Sequence, residues 1–351
     1  IYALATPVIY VTFVIESVYR SCGDSRTPML VVGIGTVLNI ILDPLLILGV
    51  GPFPHLGVAG AAIATVIAEC VVLGVWAVLY FRRSFPLPVE ISRAREAFSP
   101  RRARQIVQIG TPEALIGVLY SVVYLFIASI TGAFGAATTA ALGIVNRLEA
   151  ITYLTASALG MGVATLVGQN LGAGSVERAE ASAHRGAALS AWVSGAVTVV
   201  FLAAPEAVVG LFTTSPEVIR EGALFLRIVA ISQVAMGLEL IYGHAFAGAG
   251  DTLPPMYISV SMSVLRIPLA WWLAVPLGLG APAIWWTITV TCLVRGLATV
   301  YWFRRGGWKR KDLGIAPAAD AAAADAPVAV GPVTAAPVPV ATPGVGPEGP
   351  E

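Results

Sequence analysis

Long apolar runs separated by short polar links dominate this chain. Each run is about as long as the 20 or so residues that a helix needs to cross the bilayer core. Backbone polar groups in lipid must be satisfied within their own segment, so the runs are predicted to be helices. Nine runs meet this description, with approximate bounds 1–20, 29–50, 57–81, 106–130, 137–168, 186–212, 220–247, 256–277 and 281–303. The pattern predicts an all-α polytopic membrane protein with nine helices.

A short motif occurs twice, each time between two apolar runs. Residues 23–29 read GDSRTPM, and residues 250–256 read GDTLPPM, 227 positions later. Such repetition predicts two like halves, an arrangement typical of secondary transporters. Gly, Asp and Pro suit helix ends, caps and first turns. A structural role is therefore predicted for Gly23, Asp24, Pro28, Gly250, Asp251 and Pro255, and also for Gln169 and Asn170 at the end of the fifth run.

Basic residues are concentrated in every second link, and this distribution predicts the orientation of the chain in the membrane. Of the 21 Lys and Arg residues, 16 lie in every second link or after the last run. By the positive-inside rule these links and the C-terminus are cytoplasmic. Six runs separate the two motifs, so both motifs face the same side and the halves are parallel repeats. The composition agrees, because only 12% of residues are charged against roughly a quarter in soluble proteins.

The repeat also predicts the domain organisation. Residues 1–81 would be three helices of a six-helix N-terminal lobe, and 82–105 a basic cytoplasmic linker. Residues 106–311 would form a complete C-terminal lobe of six helices. By symmetry three front helices are missing, so we expect a fragment of a twelve-helix protein. The Ala/Pro-rich tail, 312–351, has few bulky apolar groups and is predicted to be disordered.

Motifs for catalysis are weak or absent in the sequence. Residues 248–251, GAGD, fit a Gly-x-Gly-Asp protease pattern, but they lie at a predicted cytoplasmic turn. No Walker motif supports ATP-driven transport, and the three cysteines show no metal-binding or disulfide spacing. We therefore expect a transporter rather than an enzyme, with no cofactor besides a coupling ion. Its expected surroundings are the lipid of a cell membrane, the inner membrane of a bacterium, with no nucleic-acid partner and a monomeric state.

One candidate cation site lies in the second run. Asn39 and Asp43 are four residues apart and share a helix face. Pro44 cannot donate a hydrogen bond to the carbonyl of Ile40, so that oxygen is free. Hard oxygen ligands of this kind suit a small cation such as Na⁺, or a proton. Thr65 would add a hydroxyl from the next run. Two simpler interpretations stay open: Asp43 meets water at the helix end, and Thr65 bonds its own backbone.

The second half offers different chemistry. Glu239 lies deep in the run 220–247 and is a candidate protonation or substrate-cation site. The alternative is a structural ion pair with an arginine of another helix. In the repeat alignment Asn39 corresponds to Arg266 and Asp43 to Ala270. The second half cannot therefore form the same cation site.

Several segments together resemble the multidrug and toxic compound extrusion (MATE) family, in its DinF-like branch. They are residues 20–29, 39–44 and 57–65 in the first half and 167–174 and 248–252 in the second. The resemblance implies two six-helix lobes that export cationic or amphipathic compounds against Na⁺ or H⁺. It implies that Asn39, Asp43 and Thr65 match part of an amino-lobe cation site. It also places Tyr120 where some members carry a carboxylate.

The predicted function is thus a cation-coupled antiporter with a small organic cation as substrate, working by alternating access. Two alternatives remain. Four arginines within the apolar runs suit a flippase for lipid-linked precursors, which needs a basic cavity. The missing front helices suit a membrane fragment that does not transport.

Overall fold

A computed structural model describes residues 2–82 and 99–310. These residues form eleven α-helices and one short 3₁₀ helix, and none of them lies in a β-strand. The helices are α1 Tyr2–Ser21, α2 Arg26–Leu48, α3 Val58–Phe81, α4 Pro100–Gly132, α5 Ala136–Gly172, α6 Val176–Ala203, α7 Pro205–Gly210, α8 Pro216–Ala230, α9 Gln233–Gly248, α10 Leu253–Ala274 and α11 Ala281–Arg304. The predicted all-α class is confirmed.

Two of the nine predicted runs are each divided, which accounts for eleven helices instead of nine. The run predicted at 186–212 becomes α6 and the six-residue α7, which begins at Pro205. The run predicted at 220–247 becomes α8 and α9, bent by 53° at the break. At that break the Ser232 hydroxyl donates to the carbonyl of Val229 at 3.0 Å. A serine that bonds its own backbone in this way competes with the regular helical ladder.

Most of the helices are suited to a membrane. Seven of those described are long and apolar enough to cross one, namely α2, α3, α4, α5, α6, α10 and α11. The bent pair α8–α9 would make an eighth crossing. The predicted first run forms α1 but does not join this set, and its last turns carry an ion pair between Glu16 and Arg20 at 3.3 Å. The protein is therefore a multi-pass membrane protein.

Two helices extend past the approximate bounds of their apolar runs. Helix α4 begins at Pro100, within the predicted linker 82–105, and the role of that segment as a linker between lobes stays a prediction. Helix α5 continues to Gly172, past the predicted end at 168. Its turn comes at Gly174, where φ is +73° and the N–H of Ser175 reaches the carbonyl of Asn170 at 2.8 Å. The rest of the link, 83–98, and the predicted tail lie outside the described residues.

The two motif turns share one local geometry. Gly23 and Gly250 have φ of +88° and +70°, a region that glycine enters without steric cost. The next residue in each turn closes back on its helix, Asp24 N to Tyr19 O at 3.1 Å and Asp251 N to Phe246 O at 2.9 Å. The repeat predicted from the motif is thus visible in the backbone of both turns.

Helix α2 begins as the sequence predicts. The Asp24 carboxylate accepts the backbone N–H groups of Arg26 and Thr27, both at 3.0 Å, and the Thr27 hydroxyl at 2.6 Å. These bonds satisfy N–H groups that the first turn of a helix leaves free. The Thr27 hydroxyl contributes most to lowering the pKa of Asp24. Pro28 and Pro255 are each the third residue of their helices, where no intrahelical N–H is needed.

Candidate functional site

Helices α1, α2 and α3 line a half-open cavity of about 340 Å³, here called the first cavity. Each of the three helices contributes polar side chains to its wall. They are Thr12, Glu16, Thr36, Asn39, Thr65 and Glu69. Polar groups inside apolar helices are costly, so their convergence on one cavity marks a functional site.

Two of the predicted site residues meet in the first cavity. The Asn39 side-chain amide donates to the Thr65 hydroxyl at 3.4 Å. Thr65 in turn donates to the carbonyl of Ala61 in its own helix at 3.1 Å. Thr65 therefore bonds its own backbone, as the simpler interpretation expected, and also contacts Asn39. Its role as a cation ligand stays a prediction.

Asp43, the third predicted member, is not among the residues that line the first cavity. Its Oδ1 atom is buried and has no hydrogen-bond partner among the described residues. A buried carboxylate oxygen without a hydrogen-bond partner is energetically costly. The role of Asp43 in coupling stays a prediction.

Glu69 and Glu16 are the site residues that the sequence analysis did not assign. The Thr12 hydroxyl donates to Glu69 Oε2 at 3.3 Å, which ties α1 to α3. Glu16 is paired with Arg20. Glu69 lies one helical turn after Thr65, so its spacing could have placed it on the same face. Within the described residues no three His, Cys, Asp or Glu side chains converge as a metal site.

A larger cavity, about 960 Å³, lies between α1 and α2 on one side and α5 on the other, and is here called the central cavity. It shares Glu16, Val32 and Thr36 with the first cavity. At one end the Gln169 side-chain amide donates to the carbonyl of Ser21 at 2.8 Å. Gln169 thus joins the two halves, while Asn170 only bonds its own helix, to Leu166 O at 2.7 Å.

The second half contains a cavity of its own, about 200 Å³, here called the second cavity. Its wall comes from α4, α5, α9, α10 and α11 and the α8–α9 break. The polar and titratable side chains of this wall are Tyr120, Tyr124, Asn146, Glu149, Tyr153, Ser232, Arg266, Cys292 and Arg295. Tyr120, named by the family resemblance, does reach this cavity. Glu149 accepts a hydrogen bond from the buried Gln233 amide at 3.0 Å.

Glu239 lies beside the second cavity but does not line it. It accepts Arg295 Nη2 at 2.9 Å and Nε at 3.1 Å, and the Ser259 hydroxyl at 3.1 Å. Its side chain is 12% exposed and that of Arg295 is 11% exposed. The structure therefore contains the intramembrane ion pair that was the alternative to a protonation site at Glu239.

The first and second cavities occupy related places in the repeat. The motif register relates α1 to α9 and α2 to α10, so Thr12 corresponds to Glu239 and Asn39 to Arg266. Helices α3 and α11 both begin after a capping glycine of positive φ, Gly57 and Gly280. Aligned on these caps, Glu69 corresponds to Cys292 and Val72 to Arg295.

Comparison with known proteins agrees with this architecture. The MatE family model matches residues 112–272. A probable multidrug resistance protein NorM of Thermotoga maritima is 29% identical over 302 residues, which cover 85% of this chain and 64% of the relative. An FAD transporter of Shewanella oneidensis is 27% identical over 311 residues, covering 86% and 66%. The chain therefore spans about two thirds of the length of these relatives.

Solved structures show the same fold. An outward-facing multidrug resistance MATE transporter of the MOP superfamily superposes with a TM-score of 0.80 at 21% identity. The match covers 89% of this chain and 70% of that structure. A MATE transporter in the bent conformation gives a TM-score of 0.77 at 21% identity, covering 88% and 68%.

Proposed function

We propose that the protein is a MATE-type antiporter that exports cationic or amphipathic compounds in exchange for H⁺ or Na⁺; the match to the MatE family model and the similarity to multidrug resistance relatives support this. The relatives named as multidrug resistance proteins support the export of drugs. The observation that carries the proposal is the first cavity, where two carboxylates, an amide and two bonded hydroxyls converge between three helices.

The first cavity would hold the coupling ion. Carboxylate and amide oxygens are ligands for Na⁺, and the same carboxylates accept a proton. Glu69 and Glu16 stand on different helices, so a bound cation would draw α1 and α3 together by offsetting the repulsion between two negative charges. Asp43, one turn beyond Asn39 on α2, would respond to the same ion through the bend that Pro44 allows.

The central cavity would hold the transported compound. It is large enough for a drug-sized ligand, for which pockets of about 300–1,000 Å³ are typical. Glu16 lies in the walls of both cavities, so the ion and the compound would compete for one carboxylate. Such competition is a direct physical basis for exchange, because binding of one ligand releases the other.

The test is efflux of the cationic dye rhodamine 123 from cells that express the protein. We expect Glu69→Gln and Asp43→Asn to reduce efflux by at least about tenfold, a free-energy change near 1.4 kcal/mol, with normal amounts of protein in the membrane. Glu206→Gln is the matched control, since Glu206 is a half-exposed carboxylate that pairs with Arg227 away from all three cavities. Undiminished efflux in both Glu69→Gln and Asp43→Asn would contradict the proposal.

A further inference from the structure

Arg266 is the most unusual charged residue among those described. It lies in the middle of α10 and is only 3% exposed. Its Nε donates to the Thr291 hydroxyl at 2.8 Å, and this is its one hydrogen bond within the described part of the chain. No carboxylate of a described residue lies within 4.0 Å of it, although Arg295 nearby is fully paired with Glu239. A guanidinium has five N–H donors, so most of its capacity is unused.

The unused donors of Arg266 belong to a side chain that lines the second cavity. A buried charge without a partner costs several kcal/mol, roughly, and proteins retain such a group when a ligand completes it. The planar fork of a guanidinium matches the two oxygens of a carboxylate or the oxygens of a phosphate. Arg266 is therefore suited to an oxyanion.

Glu149 supplies a second and opposite charge in the same cavity. The described structure gives it one hydrogen bond, from Gln233, and no ion pair within 4.0 Å joins it to Arg266. Arg295 also lines the second cavity, but its charge is offset by the ion pair with Glu239. Arg266 and Glu149 are thus the two charged side chains of this wall, among the described residues, that lack an ion-pair partner within 4.0 Å, and together they are complementary to a ligand that carries both charges. Two tyrosines, Tyr120 and Tyr124, with ring centroids 4.6 Å apart, add an aromatic wall.

We propose that the second cavity binds the zwitterionic head group of a substrate, with an oxyanion on Arg266 and an ammonium group facing Glu149. At about 200 Å³ the cavity fits a head group rather than a whole drug-sized molecule. The proposal rests on the proposed function for the transport of that substrate, but the binding site itself does not require transport. The oxyanion is a carboxylate or a phosphate, which share the same recognition chemistry.

The experiment measures the thermal unfolding temperature of the purified protein with three small probes. They are 4-(aminomethyl)benzoate, 4-(aminomethyl)phenylphosphonate and, as the control without an oxyanion, 4-(aminomethyl)benzamide. A ligand that binds only the folded state raises the unfolding temperature. We expect one zwitterion to raise it by at least about 2 °C more than the amide does, and the zwitterion that acts identifies the oxyanion.

The variants assign this response to the cavity. Arg266→Gln should abolish the difference between zwitterion and amide, while Arg266→Lys, which keeps the charge but loses the fork, should retain part of it. Arg227→Gln, at an arginine that is half-exposed and paired with Glu206, should retain all of it. If Arg266→Gln does not fold, Glu149→Gln becomes the deciding variant, and it should reduce the zwitterion response by at least about half.

Two results would overturn the proposal: equal shifts for zwitterions and amide in the unchanged protein, or an undiminished zwitterion shift in the deciding variant. Failure of the proposed function gives a different result. In that case the zwitterion response would be present, but the protein would not move rhodamine 123 along an ion gradient.

Discussion

The first and second cavities are built by repeat-related helices but carry opposite chemistry. In the first cavity α2 presents Asn39, and α3 presents Glu69. In the second cavity the corresponding positions hold Arg266 and Cys292. The same arrangement of helices therefore occurs in both halves, but the side chains at these two positions differ. An arginine stands where the first half has an amide, and a thiol stands where it has a carboxylate. We infer a division of labour, with ion coupling in the first half and substrate selection in the second.

The contacts between helices follow the same contrast. In the first half Thr12 bonds Glu69 with one hydrogen bond at 3.3 Å. At the related position in the second half, Glu239 accepts hydrogen bonds from two nitrogens of Arg295 and from the Ser259 hydroxyl. The first cavity is thus held by weak polar contacts that an ion can replace, whereas the helices beside the second cavity are fixed by a buried ion pair.

We expect the largest effect from a variant that introduces, in the first cavity, the arginine that the second cavity carries at the related position. Asn39→Arg would place a guanidinium beside Glu16 and Glu69, where it would occupy the carboxylates in place of the coupling ion. We expect gradient-driven efflux of rhodamine 123 to fall by at least about tenfold, because a fixed charge cannot be exchanged. The measurement is dye efflux at equal protein level. Thr36→Arg, on the same helix and cavity wall, is the comparison variant that tests whether the effect depends on the position of the arginine. Undiminished efflux in Asn39→Arg would contradict the assignment of ion coupling to the first cavity.

Removing one partner of the second-half ion pair should have the next largest effect. Glu239→Gln leaves Arg295 buried without its counter-charge, and breaking a buried pair costs about 3–5 kcal/mol. Thr12→Val, at the related position of the first half, removes a hydroxyl whose one proton is shared between the carbonyl of Ile9 at 2.9 Å and Glu69 Oε2 at 3.3 Å, and it should cost about 1 kcal/mol. Chemical unfolding of the purified protein measures both. Equal costs for the two variants would mean that the halves are not held differently.

Much of this difference could be predicted from the sequence. The repeated motif aligned Arg266 with Asn39 in the two halves, and the apolar runs predicted the all-α class and most helix positions. Thr65 was expected near Asn39 as an added hydroxyl from the next run, and the family resemblance grouped the two; the 3.4 Å contact places them together. The fold class and the repeat could be predicted because they depend on the length and spacing of apolar runs and motifs along the chain.

Other features depend on how helices pack, and local spacing does not report that. The partner of Glu239 could have been any of several arginines, and only the packing of α9 against α11 selects Arg295. No role was assigned to Glu149 from the sequence, because its partner Gln233 follows a helix break that the continuous run 220–247 conceals. Asp43 shares a helix face with Asn39 by spacing, yet it is not among the residues that line the first cavity, and its place in a cation site stays a prediction.

The hydrogen bond between the halves offers a milder test. Gln169→Ala removes the 2.8 Å bond to Ser21 at one end of the central cavity. A single hydrogen bond contributes about 1 kcal/mol, so the contact between α1 and α5 should loosen by about a fivefold change in equilibrium. The measurement is the accessibility of the exposed Cys22 thiol to a maleimide. Asn170→Ala, which removes a bond within α5 only, is the control and should leave labelling unchanged.

The smallest expected effect concerns the cap of α2. Hydrogen bonding, chiefly from Thr27, lowers the pKa of Asp24 below its ordinary value of 3.8. The charged form then stabilises the fold above pH 3.8, and this contribution is lost as the pH falls through the lowered value. Asp24→Asn does not titrate, so the stability gap between it and the unchanged protein should narrow below pH 4. A gap that is constant from pH 7 to pH 3 would exclude this linkage.

The most direct test of the division of labour compares Glu69→Gln and Arg266→Gln in proteoliposomes. Each variant is supplied with rhodamine 123 under an imposed Na⁺ or H⁺ gradient, and then without one. The account predicts that Glu69→Gln transports equally slowly with and without the gradient. It predicts that Arg266→Gln keeps the full acceleration by the gradient. If both variants lose the acceleration, or if only Arg266→Gln loses it, coupling does not reside in the first half.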